Sequence, residues 1–239
     1  TLAAPPATLA VNKWIVGEVV ETLAELDKAM ADLRFDAAAN AIYHFVWDRF
    51  CDWYLELIKG QIDDETRAVA GWVLDQILVM LHPFMPFITE ELWHAQGARP
   101  YELIVAKWPQ PQAAVDARAK AEVDWLIELT SNLRTAKNEL GIAPGAKLEA
   151  YIDAPSVRAK AAIANSAASL ERLARLSTIR AEAAPEGAAM QVSAGGDLLV
   201  IPLEGVIDSG AVRARRAKAL EASQKEANSL EACRADMNV

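Results

Sequence analysis

Apolar residues recur every three or four positions through most of the first 140 residues, which predicts a bundle of amphipathic helices. We predict five helices, over residues 12–33, 36–59, 63–81, 86–96 and 116–140. Asn12 is a typical N-cap residue, and Gly60 and Gly141 are typical of the position just after a helix. The step from His82 to Pro83 ends the third helix, because proline cannot continue the backbone hydrogen bonds.

The pattern changes after residue 141. Residues 147–152 alternate apolar and polar side chains as a strand does, and residues 155–175 are an alanine-rich helical segment. Three more strands are predicted, over residues 178–182, 190–193 and 198–203. Gly195 and Gly196 lie between the last two and suit a tight hairpin turn. A small α+β module is the simplest interpretation.

The last segment, from about residue 209, is polar and predicted to be helical. Along it, the positions that recur every three or four residues on one face are only about half apolar. Such a face is typical of one side of a coiled coil. No turn and return helix follow it, so we expect a truncated arm. The predicted fold class is mainly α: a helical bundle over 1–141, an α+β junction over 142–208 and an arm helix over 209–239.

Composition supports this picture and limits the class of protein. Hydrophobic residues make up 53% of the chain, with few glycines and prolines, which favours helices. No apolar run is long enough to cross a membrane, and the N-terminal segment lacks the pattern of a secretion signal, so we expect a cytoplasmic location. The two cysteines, Cys51 and Cys233, lie on dissimilar segments and predict neither a disulfide nor a metal knuckle.

The formal net charge of -9 argues against binding nucleic acid through bulk electrostatics. The charge is uneven, however. Residues 1–110 carry 8 basic and 16 acidic side chains, residues 111–210 carry 10 and 13, and residues 211–239 carry 6 and 4. Only the arm is therefore net positive.

Catalytic motifs are missing from the sequence. It contains no glycine-rich phosphate loop, no H-E-x-x-H, no G-x-S-x-G and no dinucleotide fingerprint, so we predict no catalytic residue and no cofactor for this region. His44, His82 and His94 are interpreted as packing or helix-end residues rather than metal ligands. Asp48, Asp52 and Glu56 recur every four residues and are interpreted as a solvated helix face.

The densest aromatic stretch of the chain covers residues 43–54. Aromatic residues surround this helix on more than one face, so some must be core and others exposed. Exposed rings beside arginine can stack on unpaired RNA bases. For any single ring, core packing remains the favoured interpretation from the pattern alone.

Five sequence motifs resemble the anticodon-binding region of valyl-tRNA synthetases. F-C-D-W-Y-L-E at residues 50–56 follows a matching L-R-F-D at 33–36, and H-P-F-M-P-F-I-T-E-E-L-W occupies residues 82–93. G-I-A-P-G at 141–145 and I-P-L-E-G-V-I-D at 201–208 match the valine branch further along the chain. The motif at 82–93 is shared more loosely with the synthetases for isoleucine, leucine and methionine.

The resemblance implies a function. In this family the helical bundle reads the anticodon, a small α/β junction follows, and a coiled-coil arm contacts the tRNA elbow. The parent enzyme uses ATP to attach valine to its tRNA. The family's H-I-G-H-type and K-M-S-K-S-type motifs are missing here, so this region should not aminoacylate by itself. The implied partner is the tRNA for valine, with no membrane, and we expect a monomer unless arms of neighbouring copies pair.

We predict that a cleft between the first helices and the aromatic helix receives the anticodon loop. The residues expected near its phosphates and bases are Arg34, Phe35, Arg49, Phe50 and Trp53. A basic cluster on the arm is expected to contact the sugar-phosphate backbone and comprises Arg213, Arg215, Arg216 and Lys218. No residue is assigned to a metal.

Two alternatives remain open. The chain could be the equivalent region of an isoleucyl- or leucyl-tRNA synthetase, which binding to isoleucine tRNA would distinguish. It could also be a helical protein-interaction module without an RNA role, as its acidic bundle and unpaired terminal helix allow.

Overall fold

The computed structural model describes residues 3–60, 62–205 and 223–225. The chain divides into two compact units, Thr1–Ile127 and Glu128–Val239. The division falls within one long helix, and the domain boundaries expected at residues 141 and 208 remain predictions. The arm helix predicted over residues 209–239 lies outside the described residues, apart from residues 223–225.

The first unit is helical, as predicted. Its main helices are α1 (Ala10–Ala31), α2 (Phe35–His44), α3 (Leu55–Ile58), α4 (Asp64–Leu81), α5 (Pro86–Ala95) and the first part of α6 (Ala117–Leu140). A π-helical segment, Phe45–Tyr54, joins α2 to α3, and a single 3-10 turn covers Leu103–Val105. Within the part of the chain that is described, no helix is both long and apolar enough to span a membrane.

Helix α1 is the central helix of this unit. Its predicted stripe is buried at Ile15, Val19, Leu23 and Leu26. The prediction for Asn12 is wrong, because α1 begins at Ala10 and Asn12 lies inside it, fully buried. Leu9 occupies the N-cap position without a side-chain cap bond, and the Glu65 carboxylate of α4 accepts the backbone N–H groups of Thr8 and Leu9 just before the helix.

The π-helical segment changes which aromatic residues face the core. Its backbone N–H groups bond to the carbonyl five residues earlier, as the bond from the Leu55 N–H to the Phe50 carbonyl shows. Because the π-helical turn is wider than an α-helical one, Phe45 and Phe50 both face the core although they lie five positions apart. It also buries Tyr54, whereas Trp53 is only half-buried. A uniform helical period predicts Trp53 in the core and overlooks Tyr54.

The proline-rich motif of residues 82–93 holds a loop in place. Glu90 accepts the backbone N–H groups of Leu103 and Ile104, and the Trp93 indole donates to the Tyr101 carbonyl. Trp93, Leu78, Val79 and Leu103 form one hydrophobic cluster. The motif therefore works as a scaffold that fixes the segment after α5.

The second unit contains a four-stranded mixed sheet. Its strands are β1 (Leu148–Tyr151), β2 (Leu176–Arg180), β3 (Ala189–Ala194) and β4 (Asp197–Pro202), in the order β2-β1-β4-β3. β1 and β2 are parallel, and helices α7 (Val157–Asn165) and α8 (Ala167–Ser169) lie in the crossover between them. β3 and β4 form the predicted hairpin, with Gly195 and Gly196 both at positive φ.

Candidate nucleic-acid interface

The corner between α1 and α2 adopts a strained backbone conformation. The Arg34 N–H donates to the Ala29 carbonyl at 2.8 Å and the Leu33 N–H to the Met30 carbonyl at 3.1 Å. This pair of bonds is the Schellman ending of a helix, which places one residue in the left-handed region. Glycine usually occupies that position, as Gly141 does after α6, but here it is Leu33, with φ 57°. A side chain larger than hydrogen costs roughly 1 kcal/mol there.

The same corner exposes side chains that usually avoid water. Leu33 is 74% exposed and Phe35 is 55% exposed. Arg34 is exposed between them, and it has no ion pair with any described residue. A strained backbone that presents an apolar residue, an unpaired cation and an aromatic ring is typical of a binding surface rather than a folding requirement.

Replacing Leu33 with glycine is expected to stabilise the first unit by about 0.5–1 kcal/mol, because the gain in relieved strain exceeds glycine's larger entropy in the unfolded chain. Since the exposed Leu33 side chain packs little, few contacts are lost. Urea unfolding followed by tryptophan fluorescence measures the change. If L33G lowers stability instead, Leu33 belongs to the core and the corner is not a strained binding surface.

An open cleft of about 550 Å³ lies on one side of α2. It is lined by α1, α2 and the π-helical segment, together with Lys120 of α6. Three of its lining residues are cationic and five are acidic, namely Glu18, Glu21, Glu25, Asp36 and Asp48. The cleft is therefore net negative, which opposes the entry of RNA phosphates.

Two of the three cations in the cleft are already paired. Glu18, whose side chain is almost fully buried, binds the Arg49 Nε at 3.2 Å and also binds Lys120. Lys120 contacts Glu21 at 2.9 Å as well. These carboxylates raise the pKa of Lys120 against the opposing effect of its burial, so it stays charged. Among the described cations that line the cleft, Arg34 is the one without a described ion pair.

A second groove, of about 360 Å³, also borders α2 and shares the lining residue Asn40 with the cleft. Its lining contains no charged residue and consists of Ala39, Asn40, Ile42, Tyr43, Val46, Trp47, Leu81, Phe84 and Met85. Tyr43 is 56% exposed and Trp47 is 57% exposed. We call this surface the aromatic groove.

The structure brings together some of the residues predicted to bind the anticodon. Arg34 and Arg49 line the same cleft, and Phe35 is exposed beside Arg34. The expectation for Phe50 is wrong: the ring is 8% exposed and stacks on Tyr54 with centroids 5.8 Å apart, which leaves no face for a base. Trp53 is half-buried, and its role and that of Arg49 remain predictions.

Tyr43 and Trp47 were not among the predicted site residues. Both belong to the aromatic stretch that the sequence singles out, but the pattern cannot divide that stretch into core and surface. The π-helical turn, in which Phe45 and Phe50 lie five positions apart and are both buried, makes that division, and it depends on the structure. The basic cluster predicted on the arm, from Arg213 to Lys218, lies outside the described residues.

One group of described side chains has the spacing of metal ligands. Oxygen and nitrogen atoms of Glu90, His94 and Glu102 lie within 4.8 Å of one another. Hydrogen bonding accounts for this arrangement, because His94 Nε2 contacts Glu102 at 2.6 Å. The bond to Glu102 raises the pKa of His94. These hydrogen bonds hold the loop after α5 against that helix, and we assign no metal to the three residues.

Comparison with known proteins identifies the family. The family described as the anticodon-binding domain of tRNA ligase matches residues 12–152. Valine–tRNA ligase of Sphingopyxis alaskensis is 53% identical over 96% of this chain and 29% of that protein. The same enzyme of Rhizorhabdus wittichii is 53% identical over 97% and 27%, and that of Zymomonas mobilis 46% identical over 95% and 27%.

The chain spans less than a third of the length of these relatives. The resemblance drawn from the five motifs is nevertheless confirmed over nearly the whole chain. The family match alone covers more than half of the chain. The chain therefore belongs to the family of anticodon-binding domains of tRNA ligases and corresponds to this region of the valine enzymes.

Proposed function

We propose that the chain recognises the tRNA for valine by its anticodon loop, so that the rest of a valine–tRNA ligase can attach valine with ATP. One observation carries the proposal: the exposed corner of Leu33, Arg34 and Phe35 lies within the matched anticodon-binding region. The chain itself is not expected to aminoacylate, because the family's catalytic motifs do not occur in it.

Each residue of the corner has a role that its chemistry supports. Arg34 pairs with a phosphate of the loop, and Phe35 stacks on an unpaired base. The acidic cleft keeps the phosphates on the outer rim, so the loop approaches the corner rather than entering the cleft. Arg49 can reach a phosphate only by exchanging its carboxylate partners. The arm cluster adds sugar-phosphate contacts from residues beyond the corner, as the resemblance implies.

Binding of the 239-residue chain to anticodon-stem hairpins tests the proposal. We expect a hairpin with the valine anticodon to bind at least about tenfold more tightly than one whose second and third anticodon bases are changed, since lost base contacts cost about 1–3 kcal/mol each. Fluorescence anisotropy of end-labelled hairpins gives both dissociation constants at one salt concentration.

Two other results would overturn the proposal. Equal binding of the two hairpins would mean that the chain contacts RNA without reading the anticodon. No binding by a folded chain would favour the protein-interaction alternative. A hairpin with an isoleucine anticodon, included in the same series, separates the valine branch from the isoleucine one.

A further inference from the structure

The aromatic groove remains unexplained by the fold. Tyr43 and Trp47 are large apolar side chains that expose more than half of their surface, although neighbouring aromatic residues of the same helix are buried. Phe84 and Met85, from the turn before α5, form the opposite wall. The volume of about 360 Å³ falls in the range of small-ligand sites, which usually lie between about 300 and 1,000 Å³.

The groove continues the corner along one face of α2. Phe35, Ala39 and Tyr43 are four residues apart, so they lie above one another on the helix surface. The helical rise places Phe35 and Tyr43 about 12 Å apart along the axis. Trp47 follows in the next turn and completes a line of exposed rings that starts beside the exposed Arg34.

The distribution of charge indicates what this line can bind. The nine residues that line the aromatic groove include no carboxylate, whereas five carboxylates line the neighbouring cleft. A polyanion that reaches Arg34 is thus repelled by the lining of the cleft and tolerated by the lining of the groove. Single-stranded nucleic acid binds to surfaces where exposed rings accept successive bases.

We infer that the aromatic groove holds an unstacked nucleobase of the RNA strand that Arg34 and Phe35 engage. This rests on the proposed function and adds a second, separate base position to it. The base stacks on Trp47 with Tyr43 at its side. The exposed Asn40 side chain lies at the border of the groove and offers both a donor and an acceptor to a base edge.

The test measures binding of the valine anticodon hairpin to Trp47→Ala, Trp47→Phe and unchanged chains. We expect Trp47→Ala to weaken binding about tenfold and Trp47→Phe to restore most of it, because stacking needs an aromatic face. Phe87→Ala is the matched control, since Phe87 is even more exposed but does not line the groove. Hairpins carrying 2-aminopurine at single loop positions should show one position whose fluorescence changes on binding and no longer does so in Trp47→Ala.

The outcomes separate this inference from the function on which it rests. If the unchanged chain does not bind the hairpin, the proposed function fails. If the chain binds and Trp47→Ala binds equally well, only the base position fails. Equal weakening by Phe87→Ala would show a general apolar effect and also overturn the inference. Analytical sedimentation of the unchanged chain and of Trp47→Ala checks whether copies of the chain pair. A dimer that forms with the unchanged chain and is lost in Trp47→Ala would mean that the groove binds protein, which would also overturn the inference.

Discussion

Replacing Asn12 with alanine is expected to lower the free energy of unfolding of the first unit by about 2–4 kcal/mol. Asn12 is fully buried, and its side chain joins three others. It donates to Glu65 at 2.9 Å and to Thr66 at 3.1 Å, and it accepts the hydroxyl proton of Tyr54 at 2.9 Å. Alanine leaves these groups without their shared partner in a site that excludes water.

Urea unfolding followed by tryptophan fluorescence measures this loss. All seven tryptophans lie at or before Trp125, so the signal reports on the first unit. Tyr54→Phe is the control, since it removes one hydrogen bond while keeping the ring, and it should cost about 1–2 kcal/mol. The double variant should lose less than the sum, because both changes break the same bond. A loss below about 0.5 kcal/mol for Asn12→Ala would show that the network does not stabilise the fold.

The pH dependence of the same variant is a second measure of the network. Partial burial acts to raise the pKa of Glu65, but hydrogen bonds from Asn12, Thr8 and Leu9 outweigh it and lower the pKa from 4.5 to about 2. A carboxyl with a depressed folded pKa stabilises the fold above its unfolded pKa and loses that contribution as the pH falls from 4.5 to about 2. The difference between the unchanged chain and Asn12→Ala should therefore be smaller at pH 3 than at pH 7.

Periodicity predicts the helices of the first unit well, because apolar spacing reports directly on which face is buried. Asn12 is a residue whose role periodicity does not predict. A polar residue near a helix start is typical of a cap, and only the partner residues on α4 and the π-helical segment make it a buried hub. Those partners lie more than 40 positions away in sequence. A local pattern therefore cannot identify them.

Only part of the candidate site could be predicted from the sequence, because motifs do not show which of their residues are exposed. The resemblance led to Arg34 and Phe35, which the structure exposes. Phe50 belongs to the same family motifs, but the motif residues Phe50, Tyr54 and Trp93 are buried and build the scaffold. Matching motifs show which family a chain belongs to without separating binding residues from supporting ones. Exposure and ion pairing make that separation, and both depend on the tertiary structure.

Reversing the charge of Arg34 is expected to weaken binding of the valine anticodon hairpin by about tenfold or more at moderate salt, because one phosphate contact is lost and a repulsion is added. Arg34 has no ion pair with any residue that the structure describes, so Arg34→Glu breaks none of the described ion pairs and should leave stability within about 0.5 kcal/mol of the unchanged chain. Lys107→Glu makes the same change of charge at an exposed lysine that lines neither the cleft nor the groove.

The salt dependence distinguishes a direct contact from a general effect of charge. Each lost phosphate contact with single-stranded RNA lowers the slope of log K against log salt by about 0.7. Arg34→Glu should show this lower slope, whereas Lys107→Glu should weaken binding slightly and keep the slope, since it changes only the long-range field. If the two variants behave alike, the RNA senses the net charge of the unit, and Arg34 is not the contact that the corner was inferred to provide.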